Sequence, residues 1–275
     1  MQLQTAEAVW ARIDLLAREK PGGVVATDGD GTLWQGDVGE DLFNAFLDHG
    51  RMELPARDAI RRDALEHGLS DAGAGVDVAR RIYAAYADGR FPEERVCELM
   101  TWCFAGWTRS EVAAFAREVV NREGPETRLH GEVLRVLERV RAAGIETVLV
   151  SASPVAIVLE AGSRVGFDED HVVAALPSYD GDVILPSVNR PIPYAAGKVT
   201  RLRERIGQER VLYAAFGDNA FDVAMLSSAR ISVAVRPKKQ LRERAAAVSE
   251  LVELVPEGAQ PTADSRRKGG RADGL

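Results

Sequence analysis

The sequence predicts an α/β protein in which a helical segment interrupts a parallel sheet. From His130 onwards, short apolar segments of strand length alternate with segments of helical periodicity, an order typical of parallel strands with helices on both faces. One more apolar strand, at residues 24–26, precedes this region, and a long stretch of helical pattern separates the two. The expected core is therefore a doubly wound, Rossmann-like parallel sheet that carries an inserted helical cap domain.

The elements follow in order along the chain. An amphipathic helix occupies the first twenty residues, and the strand at 24–26 should end in a turn that contains Gly29 and Gly31. Residues 38–121 are helical in pattern. After His130 we expect a helix, a strand, a helix, a strand, a hairpin at Asp180-Gly181 and then two further helix–strand units; they are EVLRVLERVRAAG, IETVLVSAS, PVAIVLEAG, HVVAAL, YDGDVIL, AAGKVTRLRERIG, RVLYAAFGD, AFDVAMLSS and ISVAV.

This order divides the chain into three parts. Residues 1–36 and 130–256 are expected to form the discontinuous α/β core, and residues 37–129 the helical cap. Residues 257–275 are rich in Gly, Arg, Asp and Ser and are predicted to be a disordered tail. Ligand sites of parallel sheets lie beyond the carboxyl ends of the strands, so a segment inserted after the first strand should cover the site.

Composition limits the class of partner. The net charge of -7 and the pI of about 5.3 disfavour nucleic acid, whose phosphates need a basic surface. No apolar run reaches the length of a membrane span, and the charged N-terminus does not have the pattern of a signal peptide. Cys97 and Cys103 are interpreted as buried free thiols. We expect a cytoplasmic protein with no membrane partner.

Four groups of polar residues follow predicted strands or begin helices in the core. They are the segment from Asp28 through Asp30 to Thr32, then Ser151, then Lys198, and last the segment from Asp218 to Asp222. Because parallel strands end at one edge of the sheet, these groups should converge. Clustered carboxylates need a cation, and all-oxygen ligands without Cys or His favour Mg²⁺. A lysine, hydroxyls and free amides would hold a transferring phosphoryl group.

With this set of motifs the sequence resembles the haloacid dehalogenase superfamily, in its phosphatase branch, and most closely the phosphoserine-phosphatase-like group. The motifs agree in residue type, order and element, over about residues 20–255. The resemblance implies that Asp28 is the nucleophile and Asp30 the general acid and base. It implies phosphate binding by Thr32, Ser151, Ala152 and Lys198, and magnesium binding by Asp28, the Asp30 carbonyl and Asp218, with Asp222 in support.

The resemblance implies hydrolysis of a small phosphorylated metabolite through an aspartyl-phosphate. The sequence does not give the oligomeric state, and a homodimer stays open. Three alternatives stay open: a carbon–halogen hydrolase, a phosphotransferase with an acceptor other than water, and a non-enzymatic binding protein. Asp30 and Asp218 disfavour the first, because a halide leaving group needs neither an acid nor a metal. Two residues depart from the group's pattern. Gly29 replaces a bulky apolar residue, and Phe221 replaces an asparagine, which weakens the transfer of phosphoserine as substrate.

Asp37 lies nine residues after Asp28 and allows two interpretations. It could bind a cationic nitrogen of the substrate, as in phosphoserine, phosphoethanolamine or phosphocholine, with Trp34, Trp102 or Trp107 supplying aromatic faces. Alternatively, it caps the first helix of the insert. For at least two of the tryptophans we expect core packing.

Overall fold

The central feature of the fold is a seven-stranded sheet. We describe it from a computed structural model, which describes residues 1–258. Within these residues the sheet strands are β1 (Gln2–Gln4), β2 (Val24–Asp28), β3 (Glu146–Pro154), β4 (Val172–Ala175), β7 (Leu212–Gly217), β8 (Ile231–Val235) and β9 (Val252–Leu254). Their spatial order is β1-β9-β8-β7-β2-β3-β4, and every neighbouring pair is parallel. Strands β5 (Pro177–Asp180) and β6 (Val183–Val188) form a separate antiparallel hairpin. The predicted fold class is confirmed.

Eleven α-helices accompany the strands in residues 1–258. The insert contributes α2 (Val38–His49), α3 (Leu54–Glu66), α4 (Gly75–Ala87), α5 (Glu93–Trp102) and α6 (Arg109–Glu123). The rest are α1 (Ala6–Glu19), α7 (Gly131–Ala142), α8 (Val155–Ser163), α9 (Ala196–Ile206), α10 (Val223–Ser228) and α11 (Lys239–Glu243). Helix ends follow from local sequence. For example, Thr108 and Glu111 form a reciprocal capping box at the start of α6, with N···O distances of 3.2 and 2.8 Å.

The sheet separates two apolar clusters, because alternate side chains of a strand point to opposite faces. Val25 packs on one face with α1 and α7, while Val24 and Ala26 pack on the other with α9 and α10. The insert has no separate core. Its aromatic side chains belong to the same cluster as Val25, and α2 and α6 pack against α8. The insert is therefore anchored on one face of the sheet.

Two strands at one side of the sheet, the edge strand β1 and its neighbour β9, were not predicted. Each has three residues, and they pair with one another, Gln2 with Val252 and Gln4 with Leu254. Three residues are too few to show the alternation of apolar and polar side chains typical of a strand, so these strands are identified only by their pairing in the sheet. Of the predicted tail, residues 259–275 lie outside the described residues, and Glu257 contacts the side chain of Arg135. Within residues 1–258, no helix combines the length and the apolar composition needed to cross a membrane.

Candidate active site

Strand β2 ends at Asp28, and a tight turn follows at once. The carbonyl of Gly29 accepts hydrogen bonds from the N–H groups of Thr32 and Leu33, at 3.1 and 2.7 Å. Gly31 lies in this turn with φ of +77°, and a Cβ built there would stand 2.3 Å from Oδ2 of Asp218. Only glycine allows both this backbone conformation and this close approach. The turn thus brings the first and the last motifs together.

Lys198 is completely buried between two carboxylates. Its Nζ lies 2.6 Å from Oδ1 of Asp28 and 2.5 Å from Oδ1 of Asp222. Burial opposes the charged form of the lysine, but the two carboxylates outweigh it and raise the pKa of Lys198 above its ordinary value. The ammonium group is therefore fixed beside Asp28.

Three buried aspartates form a candidate metal centre. Asp28, Asp218 and Asp222 each offer a carboxylate oxygen, and these atoms all lie within 4.8 Å of one another. The hydroxyl of Thr32 lies 3.3 Å from oxygens of both Asp28 and Asp218. A set of hard oxygen donors fits a divalent cation such as Mg²⁺.

The three aspartates differ in whether their carboxylate oxygens are already held by strong hydrogen bonds. Asp222 uses both: Oδ1 accepts from Lys198, and Oδ2 accepts from the N–H groups of Asp218 and Asn219, at 3.0 and 2.9 Å. It is therefore held as a support. Asp28 and Asp218 have weaker second contacts, to Thr32, and are better placed to reach a metal ion.

Electrostatics also favour a cation here. Burial raises the pKa of Asp28 well above its ordinary value; Asp222 and Asp218 raise it further and Lys198 opposes them. Burial and the neighbouring Asp222 likewise raise the pKa of Asp218. A bound divalent cation would favour the ionised form of both groups. A second lysine, Lys238, lies 2.9 Å from Oδ2 of Asp218 and was not recognised from the sequence.

Asp30 has a different environment from the three clustered aspartates. Its Oδ1 accepts from Nε1 of Trp34 at 2.7 Å and from the N–H of Val38 at 2.8 Å. Its Oδ2 faces two hydroxyls, Oγ of Ser153 at 2.7 Å and Oγ of Ser151 at 3.4 Å. The group of close carboxylate oxygens does not include its side chain. Its carboxylate is therefore oriented by neutral donors, separately from the metal centre.

Ser151 and Ala152, predicted to bind phosphate, lie near the end of β3. Oγ of Ser151 accepts the N–H of Ser153 at 3.0 Å. Ala152 lines the cavity above Asp28. Ser153 was not predicted, although residues two apart in a strand face the same side, which was the available signal.

Asp37 caps α2, as one of its two interpretations required. Its Oδ1 accepts the N–H of Glu40 at 2.9 Å. Asp37 also lines the cavity that contains Asp28 and Asp30, and burial together with Asp30 raises its pKa well above the ordinary value. Helix capping and a position in the site therefore coexist.

The cavity above Asp28 opens to solvent, and together with that opening it has a volume of about 480 Å³. Its lining comes from the core, from the start of α2, and from α4 and α5; it consists of Asp28, Asp30, Asp37, Glu40, Tyr86, Glu93, Val96, Cys97, Met100, Ala152, Ser153, Tyr194 and Phe221. The tryptophans do not line it. Trp34 supports Asp30, and Trp107 packs edge-on against Phe46 and Phe104. The aromatic lining is instead Tyr86, Tyr194 and Phe221.

The Trp34 ring also accounts for Gly29. A Cβ at position 29 would stand 3.0 Å from the Trp34 ring, which is tighter than ordinary contact. The ring thus fills the space that a larger side chain at 29 would need. The Phe221 ring packs against the Tyr194 ring, with the two planes 34° apart and the centroids 5.3 Å apart. It also lies 5.0 Å from Nζ of Lys198.

The parallel sheet, with clustered aspartates and a buried lysine beyond the carboxyl ends of its strands, defines an α/β protein with a polar site at that edge. The chain belongs to the haloacid dehalogenase-like hydrolase family, whose sequence profile matches residues 25–227. This match confirms the family resemblance. A comparison with curated proteins finds no significant match to the sequence.

Solved structures with the same fold include three informative examples. A protein of unknown function from Bordetella pertussis Tohama I is 22% identical, with 84% of this chain and 97% of that chain covered and a TM-score of 0.65. A HAD family hydrolase from Salmonella enterica serovar Typhi is 17% identical, with coverages of 88% and 75% and a TM-score of 0.52. A phosphoserine phosphohydrolase-like protein from Francisella tularensis is 14% identical, with coverages of 84% and 94% and a TM-score of 0.51. These similarities support the fold.

Proposed function

We propose that the protein is a magnesium-dependent phosphomonoester hydrolase that forms an aspartyl-phosphate on Asp28 and acts on a small phosphorylated metabolite. The observation that carries the proposal is the environment of Asp28. It is buried beside a lysine and two further carboxylates, and it faces a cavity that also contains Asp30. A carboxylate nucleophile, an acid and a charge-stabilising cation are thereby within reach of one substrate phosphate.

The reaction follows from these groups in two steps. A carboxylate oxygen of Asp28 attacks phosphorus, the bond to the ester oxygen breaks, and Asp30 gives its proton to the leaving alkoxide. Asp30 then takes a proton from water as the water oxygen attacks the acyl phosphate. The bond from phosphorus to Asp28 breaks, which releases inorganic phosphate and restores the carboxylate.

The hydrogen bonds of Asp30 indicate which oxygen carries its proton. Oδ1 accepts from two fixed N–H donors, Trp34 and Val38, and protonating it would displace at least one of them. The partners of Oδ2 are hydroxyls, Ser153 and Ser151, which can rotate and accept as well as donate. We therefore assign the transferred proton to Oδ2, with Ser153 as the positioning residue.

Magnesium, when bound, would neutralise charge on the phosphate and keep Asp28 ionised. Asp28, the Asp30 carbonyl and Asp218 would hold it, with Asp222 fixing the turn that carries Asp218. Lys198, Thr32, Ser151 and the Ala152 amide would bind phosphate oxygens.

The experiment is hydrolysis of p-nitrophenyl phosphate by the purified protein. EDTA should remove the activity and Mg²⁺ should restore it, whereas Ca²⁺ should not, because its larger coordination shell changes the geometry of attack. Acid-quenched samples should carry one phosphate adduct by intact mass spectrometry. Asp28→Asn should show neither turnover nor adduct, and an adduct in that variant would assign the nucleophile elsewhere.

We further propose that residues 37–129 act as a cap over the site. Helices α2, α4 and α5 supply cavity residues, and Arg190 of the core pairs with Glu98 of α5 at 2.6 Å. If α4 and α5 close on the substrate, their amide hydrogen exchange should slow when a phosphate mimic such as beryllium trifluoride is bound. Unchanged exchange in both helices would contradict a closing cap.

A further inference from the structure

The cavity above Asp28 has two chemically different ends. The core supplies its floor, with the nucleophile Asp28 and the acid Asp30. The cap side is acidic and aromatic, with Asp37 and Glu40 from the start of α2, Tyr86 from α4, and Glu93 from α5. A phosphate on Asp28 would place its ester group among these side chains.

The carboxylates on the cap side form no close ion pair within residues 1–258, because no Lys or Arg lies within 4 Å of the carboxylates of Asp37, Glu40 or Glu93. These three side chains also line the adjoining cavity, whose wall includes Lys238 and Arg236. Glu93 has one polar contact, from the hydroxyl of Tyr194 at 3.4 Å. Burial raises the pKa of Glu93 and Glu40 adds to the effect, while the hydroxyl of Tyr194 and the charge of Lys238 oppose it. A cation in the cavity would relieve this crowding of negative charge.

The cations of the adjoining cavity are already paired. Lys238 lies 2.9 Å from Asp218, and Nε of Arg236 lies 2.8 Å from Glu132. A carboxylate on the ligand would therefore meet negative charge on the cap side with no free basic side chain in the cavity wall to offset it. This selects against a substrate that carries its own carboxylate.

The aromatic side chains complete a binding site for a cationic nitrogen. Tyr194 and Phe221 form one wall, with ring centroids 5.3 Å apart, and Tyr86 lies on the cap side. Nζ of Lys198 already lies 5.0 Å from the Phe221 ring, so Tyr194 and Tyr86 supply the aromatic faces for a ligand cation. Aromatic faces attract ammonium and quaternary ammonium groups, most strongly where water is displaced. Met100 and Val96 add apolar surface that would suit N-methyl groups.

We infer that the cavity selects phosphate monoesters of amino alcohols, with an amine or a quaternary ammonium group and without a carboxylate. The inference rests on the proposed phosphatase function of the same site. The aromatic residues of the cation site are Tyr86 and Tyr194, with Phe221 beside Tyr194, and not the tryptophans considered from the sequence. Its acidic residues are Glu40 and Glu93 in addition to Asp37.

The first test compares matched esters. Choline phosphate and its neutral isostere 3,3-dimethylbutyl phosphate differ in one charge, and ethanolamine phosphate and O-phosphoserine differ in one carboxylate. We expect kcat/KM to be at least tenfold higher for the cationic ester in the first pair, and at least tenfold higher for ethanolamine phosphate in the second. Equal values in the first pair would overturn the cation site, and a preference for phosphoserine would overturn the exclusion of carboxylates.

Two variants of α5 test the assignment to Glu93. Glu93→Gln removes one charge from the cavity, while Glu94→Gln removes the same charge from the neighbouring exposed position. Glu93→Gln should lower kcat/KM for the cationic ester at least fivefold more than for its neutral isostere. Glu94→Gln should change both esters alike, and an equal loss for both esters in Glu93→Gln would contradict the assignment.

Binding separates this inference from the proposed function. Calorimetry with Asp28→Asn measures affinity for choline phosphate and for its neutral isostere without turnover. If this variant binds choline phosphate more tightly but the wild-type protein hydrolyses no ester, the proposed function is overturned and the cation site is kept. Hydrolysis of p-nitrophenyl phosphate with equal binding of the two esters would do the reverse.

Discussion

Removing the Ser153 hydroxyl should slow the hydrolysis of esters in proportion to their need for an acid. Oγ of Ser153 donates to Oδ2 of Asp30 at 2.7 Å and is 9% exposed. In the proposed mechanism Asp30 becomes a charged acceptor as it gives up its proton, and a hydrogen bond to a charged group contributes about 1.5–3 kcal/mol. If Ser153→Ala loses that contribution in the first chemical step, kcat/KM falls by about 10- to 150-fold.

The assay is a series of phosphate esters that differ in leaving group. The parameter is kcat/KM, because it reports the steps up to the first irreversible one and leaves out hydrolysis of the phosphoenzyme. An alkyl phosphate needs full protonation of its leaving oxygen and should show the whole loss. p-Nitrophenyl phosphate releases a stable phenolate and should lose much less.

The matched control is Ser163→Ala. Ser163 lies on α8 and bonds to the carbonyl of Glu160, away from Asp30, so its removal should leave the series unchanged. If Ser153→Ala lowers kcat/KM equally for all esters, the hydroxyl acts on binding or folding, and the assignment of the proton to Oδ2 of Asp30 is wrong.

Two further predictions concern stability. Lys198→Met should lower the free energy of unfolding at neutral pH by about 3–5 kcal/mol, measured by urea denaturation without metal, because it leaves buried carboxylates unpaired. The folded-state pKa of Asp28 is raised even beside Lys198, so the stability linked to its proton is present at low pH and lost as pH rises. The deficit of the variant should therefore shrink on acidification, and a deficit that grows would contradict the ion-pair account. Gly31→Ala should destabilise the protein more than Gly50→Ala. The two glycines have nearly equal φ angles, +77° and +76°, but only a Cβ at position 31 would meet Asp218. Equal losses by the same assay would mean that backbone strain alone decides the cost.

The sequence was sufficient for the parts of the fold and site that depend on short-range pattern. Strand β2 is five residues of buried Val, Ala, Thr and Asp, and the turn after it is marked by Gly29 and Gly31. Parallel pairing then forces strand ends to one edge, so the contact of Lys198 with Asp28, 170 residues away, follows from topology. The roles of these residues in a reaction stay predictions.

What the sequence did not reveal depends on tertiary contact. Lys238 has no motif around it, and its position beside Asp218 depends on the loop after β8. Tyr86, Glu93 and Tyr194 come from three separate segments, and only the packing of α4 and α5 over the core brings them to one cavity. Trp107 illustrates the converse: its residue type fits a binding site, but burial against Phe46 uses its ring in the core.

The position of the insert links the cap to the acid. The first residue of α2, Val38, donates its N–H to Oδ1 of Asp30, and Asp37 caps the same helix turn. Since α2 packs against α8, the donor of this bond is anchored to a helix of the α/β core. The cavity residues Tyr86 and Glu93 lie on α4 and α5 instead. Under the roles we propose, one insert would hold the acid through α2 and select substrate through α4 and α5, so substitutions in α5 should alter selectivity while the hydrogen bonds of Asp30 are kept.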